Sequence, residues 1–268
     1  MNGVVFFLAV NFVVALCFSA LFAVVSTRCR SRLAALWLAA GFAVASLSAI
    51  FELLVAYTSF SKTSALGAFA AVIAGMTLLR LGVGELYGRP LNKWIATAFV
   101  LVTAVGSHLI YDLPRSSALH AVLYQAPFAL AVLSSAFAVL WSRRRLAVDK
   151  FLGGLMIVTG LHFFAKAGLT VLVGGGATAP DYVHTNYALI SQSATAILMV
   201  AVGLALLAVL VLEIMADQQS ESDQDALSGI ANRRGFERRV RSLLEESREG
   251  LHAIIICDLD HFKGINDT

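Results

Sequence analysis

The sequence predicts a membrane all-α bundle of seven transmembrane helices, followed by a short α+β segment outside the membrane. Of the 268 residues, 59% are hydrophobic and 14% are charged, which is too apolar for an ordinary soluble domain. Apolar runs of about 20 residues, the length a helix needs to cross the hydrocarbon core of a bilayer, recur as far as Ile214. Residues 216–225 then contain no large apolar side chain, so the membrane region ends there.

Seven apolar runs, separated by charged or polar residues, define the predicted spans. They are Val4–Ser26, Leu33–Tyr57, Ser64–Leu81, Trp94–Tyr111, Ala118–Trp141, Phe151–Val173 and Tyr187–Ile214. The first run follows no basic residue and is longer than the apolar core of a signal peptide, so we expect it to be kept as a helix. The third run is the least regular, because it carries several glycines and ends next to Arg80.

The basic residues of the loops predict the orientation of the bundle. The loops after the first, third and fifth spans carry most of them: Arg28, Arg30, Arg32, Arg89, Lys93, Arg143, Arg144, Arg145 and Lys150. The alternate loops hold Lys62 and Arg115. Because Lys and Arg are enriched on the cytoplasmic side, this pattern places the N-terminus outside and the C-terminus in the cytoplasm. The net charge of +3 thus reflects orientation rather than a nucleic-acid surface.

Three ionisable residues inside the spans, Glu52, His162 and Lys166, are candidates for intramembrane sensing. A charge within the bilayer is costly, so such residues either pair with one another or serve a function, and both explanations stay open. His162 and Lys166 are four residues apart and share one face of their helix. The predicted outer loop 174–181 is too short for a sensing domain, so any stimulus is small, lipid-borne or detected inside the bundle.

Three further ionisable residues, His108, Asp112 and His120, fall near the predicted outer interface, where solvation accounts for them. A pair among His108, His120 and His162 could ligate haem, and Lys166 could carry a chromophore as a Schiff base. No further sequence signal favours either cofactor. The three cysteines lack metal-binding spacing and are expected to be free thiols: Cys17, Cys29 and Cys257.

After the membrane region the sequence predicts a polar connector, residues 215–224, and then an amphipathic helix. Asn232 is a suitable cap for the start of this helix. Apolar residues repeat at helical spacing on one face, at Phe236, Val240, Leu243 and Leu244. Gly250 is expected to end the helix.

A predicted strand and an acidic loop follow. Ala253–Cys257 is an uninterrupted apolar run, rich in isoleucine, that predicts a buried strand. Asp258 and Asp260 therefore lie where the strand emerges, and such carboxylates suit a hard cation such as Mg²⁺ beside phosphate oxygens. A calcium-binding EF-hand is excluded, because Phe262 and Lys263 stand where its loop needs an oxygen ligand and a glycine. A surface turn without a ligand is the remaining alternative.

Two motifs in this order resemble the opening of the GGDEF domain, the diguanylate cyclase family. The first is Asp225-x-Leu227-Ser228-Gly229-Ile230-x-Asn232-Arg233-Arg234-x-Phe236, and the second is Asp258-Leu259-Asp260-His261-Phe262-Lys263-x-Ile265-Asn266-Asp267. The family usually has Thr and Leu at the positions of Ser228 and Ile230. The resemblance covers about Asp225 to Thr268 and implies the start of an α+β nucleotide-cyclase domain with a βαββαβ core.

The resemblance also implies a role for each matched residue. The Asp258 carboxylate and the Leu259 backbone carbonyl would bind Mg²⁺ or Mn²⁺. The backbone near Phe262 and the Lys263 side chain would hold the triphosphate, and Asn266 would hydrogen-bond the guanine. The implied structural or signalling residues of the preceding turn are Asp225, Asn232 and Arg233.

The implied protein is a membrane-bound diguanylate cyclase, with residues 1–214 as its sensor and residues 225–268 as the N-terminal part of its catalytic domain. Two GTP molecules, one on each protomer of a homodimer, would condense into cyclic di-GMP. We expect it in the bacterial inner membrane, with lipid but no nucleic acid as a partner. These residues lack the Gly-Gly-Asp/Glu-Glu-Phe turn, so the fragment itself is expected to be inactive. The alternatives are a degenerate domain that binds GTP or relays a signal, and a transporter or photoreceptor bundle with a regulatory appendix.

Overall fold

The computed structural model of the protein describes residues 3–115, 117–144, 146–174, 185–225, 227–246, 253 and 255. Within these ranges the chain forms eight α-helices, together with one isolated antiparallel bridge between Gln224 and Ala231. The chain divides into two compact units, Met1–Met215 and Ala216–Thr268. Each unit is described by itself.

Seven long apolar helices are present, as the sequence predicts. They are α1 (Gly3–Val25), α2 (Arg32–Tyr57), α3 (Ser61–Leu86), α4 (Lys93–Ile110), α5 (Ala118–Leu140), α6 (Ala147–Val173) and α7 (Asn186–Ser222). Each is long and apolar enough to cross a membrane. The predicted number and order of the apolar helices are therefore confirmed.

Three helices are longer than the apolar runs that predicted them. Helix α7 continues past Ile214 to Ser222, whereas α3 and α6 are extended where charged residues at their ends find partners. Arg80 ends the third apolar run, yet α3 continues to Leu86, and the Arg80 guanidinium donates to the Arg89 carbonyl at 3.3 Å. The sixth helix begins before the predicted Phe151. Its first turn contains Asp149, whose Oδ2 accepts the Leu146 N–H at 3.1 Å.

Aromatic and small residues hold the first helices together. The Phe42 ring of α2 packs against two α1 rings, with its centroid 5.1 Å from that of Phe18 and 5.6 Å from that of Phe22. Where α2 crosses α3, a Cβ atom added to Gly75 would lie 2.7 Å from the Gly41 carbonyl oxygen. Small residues thus permit the close backbone approach that is common between membrane helices.

The described part of the second unit contains a turn and the helix α8 (Arg233–Glu246). The predicted cap is present, since Asn232 Oδ1 accepts the Gly235 N–H at 3.0 Å. Gly250 lies outside the described residues, and so does most of the predicted strand Ala253–Cys257. The βαββαβ core therefore stays a prediction.

Candidate functional site

A cavity of about 300 Å³ lies inside the first unit and is lined by every helix of that unit except α4. The three predicted sensing residues, Glu52, His162 and Lys166, all line it. The structure thus brings together side chains that come from different helices. Their sensing role stays a prediction.

Glu52 accepts a hydrogen bond across the bundle. Gln192 Nε2 on α7 donates to Glu52 Oε2 at 2.9 Å. The same amide accepts a hydrogen bond through Oε1, from Asn11 Nδ2 on α1 at 3.2 Å. Helices α1, α2 and α7 are therefore linked by a chain of three polar side chains.

His162 and Lys166 share one face of α6 and approach the same hydroxyl of α7. Thr195 Oγ1 lies 3.4 Å from His162 Nε2 and 3.5 Å from Lys166 Nζ. Lys166 and Glu52, a basic and an acidic side chain, both line the cavity. Among the described residues, however, the two do not form a direct ion pair.

The other predicted ionisable residues separate into two groups. Asp112 is exposed and forms an ion pair with Lys62 at 2.9 Å, and His108 is exposed on α4. His120, by contrast, is 8% exposed, stacks on Tyr124 and lines the cavity, so solvation at the interface does not account for it. It lies in the first turn of α5, where proximity to a loop suggested exposure.

Sequence reasoning missed the uncharged polar residues of the cavity, including Asn11, Gln125, Gln192 and Thr195. Gln125 is 5% exposed, and its Oε1 has no hydrogen-bond donor in the described part of the chain. Asn11 Oδ1 is likewise buried without a donor there. Asn and Gln residues inside the apolar runs could have indicated these contacts, because their amides form hydrogen bonds between membrane helices.

A second buried polar cluster lies at the opposite end of the unit, near the arginine-bearing α1–α2 and α5–α6 loops. This arginine-end cluster consists of Ser31, Tyr87, Arg144, Asp149 and Glu213. Tyr87 donates to Asp149 at 2.7 Å, and Ser31 donates to Glu213 at 2.6 Å. Arg144 lies over the Tyr87 ring and 3.6 Å from a Glu213 oxygen. Burial and then the hydrogen bond to Asp149 raise the pKa of Tyr87 above its usual range.

In the second unit, the residues of the first motif form a tight turn around Asp225. Its Oδ1 accepts hydrogen bonds from the Leu227 N–H, the Ser228 N–H and the Ser228 hydroxyl, at 3.2, 2.9 and 2.8 Å. The Ser228 donors, followed by the Leu227 N–H, lower the pKa of this exposed carboxyl. Gly229 has φ +68°, a left-handed conformation that disfavours a side chain.

The turn is joined to α8 through Asp223. Its carbonyl oxygen accepts the Asn232 N–H at 2.9 Å, and its carboxylate pairs with Arg238. A Cβ atom on Gly235 would lie 2.2 Å from the same carbonyl oxygen, so the absence of a side chain at Gly235 allows this contact. Arg233, which sequence reasoning assigned to the turn, points to solvent and pairs with Glu237. Arg238 is therefore the arginine that holds the turn.

The acidic motif lies outside the described residues, so the structure does not place its site residues Asp258, Leu259, Phe262, Lys263 and Asn266. Across the described ranges, no group of three or more His, Cys, Asp or Glu side chains could hold a metal ion. The metal and nucleotide roles stay predictions.

Comparison with known proteins identifies the class of the second unit. Residues 222–268 match the sequence profile of the family described as "Diguanylate cyclase, GGDEF domain". The probable diguanylate cyclase DgcE of Escherichia coli (strain K12) is 43% identical over 49 residues, which cover 18% of this chain and 4% of that protein. Residues 222–268 are thus a segment of the GGDEF family, which confirms the resemblance of the two motifs. No solved structure gives a significant match to the chain.

Proposed function

We propose that the protein is a membrane-bound diguanylate cyclase that condenses two GTP molecules into cyclic di-GMP under the control of its seven-helix unit. The observation that carries this proposal is the GGDEF-family segment that follows seven helices long and apolar enough to cross a membrane. The basic loops favour a C-terminus on the cytoplasmic side of a bacterial inner membrane, where GTP is available.

The acidic motif supplies the chemistry for this reaction. The Asp258 carboxylate and the Leu259 carbonyl are hard oxygen donors, which suit Mg²⁺ or Mn²⁺. A divalent ion bound there would neutralise charge on the phosphates. The backbone near Phe262 and the Lys263 ammonium hold the triphosphate, and the Asn266 amide hydrogen-bonds the guanine edge.

Catalysis requires two such domains to face each other. Each GTP 3′-hydroxyl attacks the α-phosphate of the other GTP and releases pyrophosphate, so a homodimer positions both nucleotides. A signal in the seven-helix unit would act by changing how often two domains meet in this arrangement. The tight turn around Asp225 would carry that signal to α8.

The test uses the full-length encoded protein in lipid nanodiscs, with GTP and Mg²⁺, and measures cyclic di-GMP by chromatography. We expect product from the dimer and none from Asp258→Ala. Asp112→Ala is the matched control, because this acid is exposed in the α4–α5 loop and should leave turnover unchanged.

Two outcomes would contradict the proposal. Retained turnover in Asp258→Ala would remove the metal role of this residue. Magnesium-dependent GTP binding without product from a dimeric preparation would instead identify a degenerate domain that relays a signal.

A further inference from the structure

The cavity of the seven-helix unit is elongated and polar at one end. Its lining on α5 runs from His120 to Ser135, which is about 22 Å at the rise of an α-helix. The Lys166 and Glu52 side chains lie at the end nearest the α4–α5 loop. Towards the arginine-rich end, the lining turns apolar, with residues such as Val132 and Leu206. A molecule that filled the cavity would be amphipathic and linear.

The polar end has cationic groups whose hydrogen-bonding capacity is largely unused. The Lys166 ammonium donates to Thr195 at 3.5 Å and otherwise faces the Phe163 ring, so it has donors to spare. Arg115 is half-buried at the cavity and is not a member of any ion pair found among the described residues. Glu52, the acid of this end, is already engaged by Gln192. An anionic group is the complement of this arrangement.

A hydrogen-bond acceptor at the same end also lacks its partner. Gln125 is 5% exposed and lines the cavity, and its Oε1 has no donor within the described ranges. A buried acceptor without a donor is costly, so the occupant should supply a hydroxyl. The volume of about 300 Å³ holds roughly ten water-sized groups at ~30 Å³ each, which suits a single chain of about ten carbon atoms.

We propose that the cavity binds a single-chain fatty acid with a hydroxyl near its carboxylate. The carboxylate lies against Lys166 and Arg115, the hydroxyl donates to Gln125, and the acyl chain extends along the apolar part past Val132. The proposal that this ligand binds does not depend on the proposed function. Only its consequence, control of cyclic di-GMP synthesis, rests on the proposed function.

The test measures equilibrium binding by calorimetry to the protein in lipid nanodiscs, because detergent tails would compete for the cavity. The probes are 3-hydroxydecanoate, decanoate and decyltrimethylammonium. We expect 3-hydroxydecanoate to bind most tightly, decanoate more weakly and the cation not at all. Gln125→Leu should abolish the difference between the two acids.

Variants that change a charge in the cavity test where the carboxylate of the ligand lies. Lys166→Met should weaken 3-hydroxydecanoate binding about tenfold, the value of a hydrogen bond to a charged group. Lys62→Met is the matched control, since this lysine pairs with Asp112 and does not line the cavity. Glu52→Gln should tighten binding, because it removes a negative charge near the carboxylate.

The position of the acyl chain is tested separately. Val132→Phe, which fills the apolar part, should abolish 3-hydroxydecanoate binding whether or not Lys166→Met folds. Equal binding of the anionic and cationic probes, unchanged affinity in Lys166→Met, or no binding to folded protein would each overturn the proposal. GTP is absent from the assay, so an inactive cyclase domain would not affect the result.

Discussion

The two buried polar clusters of the seven-helix unit use similar residues in opposite ways. In the arginine-end cluster, Asp149 and Glu213 each accept a short hydrogen bond from a hydroxyl, of 2.7 and 2.6 Å. In the cavity, Lys166 makes one hydrogen bond of 3.5 Å within the described ranges, and Gln125 has an acceptor without a donor there. In the arginine-end cluster only Glu213 Oε2 lacks a hydrogen bond among the described residues, and it lies 3.6 Å from Arg144. Such a largely paired network stabilises the fold, whereas unfilled polar groups beside open space leave a place for a ligand.

The largest expected effect comes from breaking the arginine-end cluster at Asp149. This side chain is 2% exposed and accepts from both Tyr87 and the Leu146 N–H. Asp149→Ala should lower the free energy of unfolding by about 3 kcal/mol, because it leaves the buried Tyr87 hydroxyl unpaired and removes the acceptor of the Leu146 N–H. Thermal unfolding of the purified protein measures this loss of stability. Tyr87→Phe should cost less, and a double variant that is simply additive would show that the two side chains do not interact.

A smaller loss is expected where the same cluster joins α7. Ser31→Ala removes the 2.6 Å hydrogen bond to Glu213, so we expect a loss of about 1–2 kcal/mol by the same measurement. Ser193→Ala is the control, because this exposed hydroxyl donates only within its own helix, to the Leu189 carbonyl. Equal melting temperatures of the two variants would contradict the stabilising role of the cluster.

A substitution in the cavity should change the stability of the protein less than a substitution in the arginine-end cluster. In ligand-free protein, Lys166→Met should change the free energy of unfolding by less than about 1 kcal/mol, since replacing a poorly paired buried charge by an apolar group is often neutral. Its effect should appear in ligand binding instead. A destabilisation as large as that of Asp149→Ala would place Lys166 among the structural residues and remove the contrast between the two clusters.

The smallest effect is expected at Asp225, an exposed acid of the second unit whose Oδ1 accepts three hydrogen bonds. Its lowered pKa means that the turn gains stability above the ordinary aspartate pKa of about 3.9 and loses it as pH falls through the lower folded value. The Ser228 amide resonance should titrate with a midpoint below 3.9. Ser228→Ala, which removes the hydroxyl donor, should move that midpoint upward, and an unmoved midpoint would contradict this cause.

The apolar helices could be predicted from the sequence because a bilayer fixes their length and composition. Their ends were less predictable, since Arg80 and Asp149 interrupt the apolar pattern but stay helical through local hydrogen bonds. The first GGDEF motif was equally readable, because Gly229 and Asp225 are set by local turn geometry. Such features depend on neighbours along the chain.

The polar contacts inside the bundle could not be predicted, because they depend on how each helix is rotated. His120 was assigned to the interface by its position near a loop, yet it faces the cavity. Gln125 and Gln192 were passed over because uncharged amides scarcely alter the apolar pattern. In the turn, Arg233 and Arg238 are both part of a basic helix, and only the fold shows which one meets Asp223.

The hydrogen bonds that join Asn11, Gln192 and Glu52 have a defined order of donors and acceptors. Gln192 donates to Glu52 and accepts from Asn11, which leaves the Asn11 oxygen without a donor in the described part of the chain. Turning over both the Gln192 and the Asn11 amides would let Gln192 donate to the Asn11 oxygen, but Glu52 would then have to donate, as a carboxyl group can only when protonated. These side chains therefore have two self-consistent arrangements that differ by one proton, and both keep α1, α2 and α7 joined.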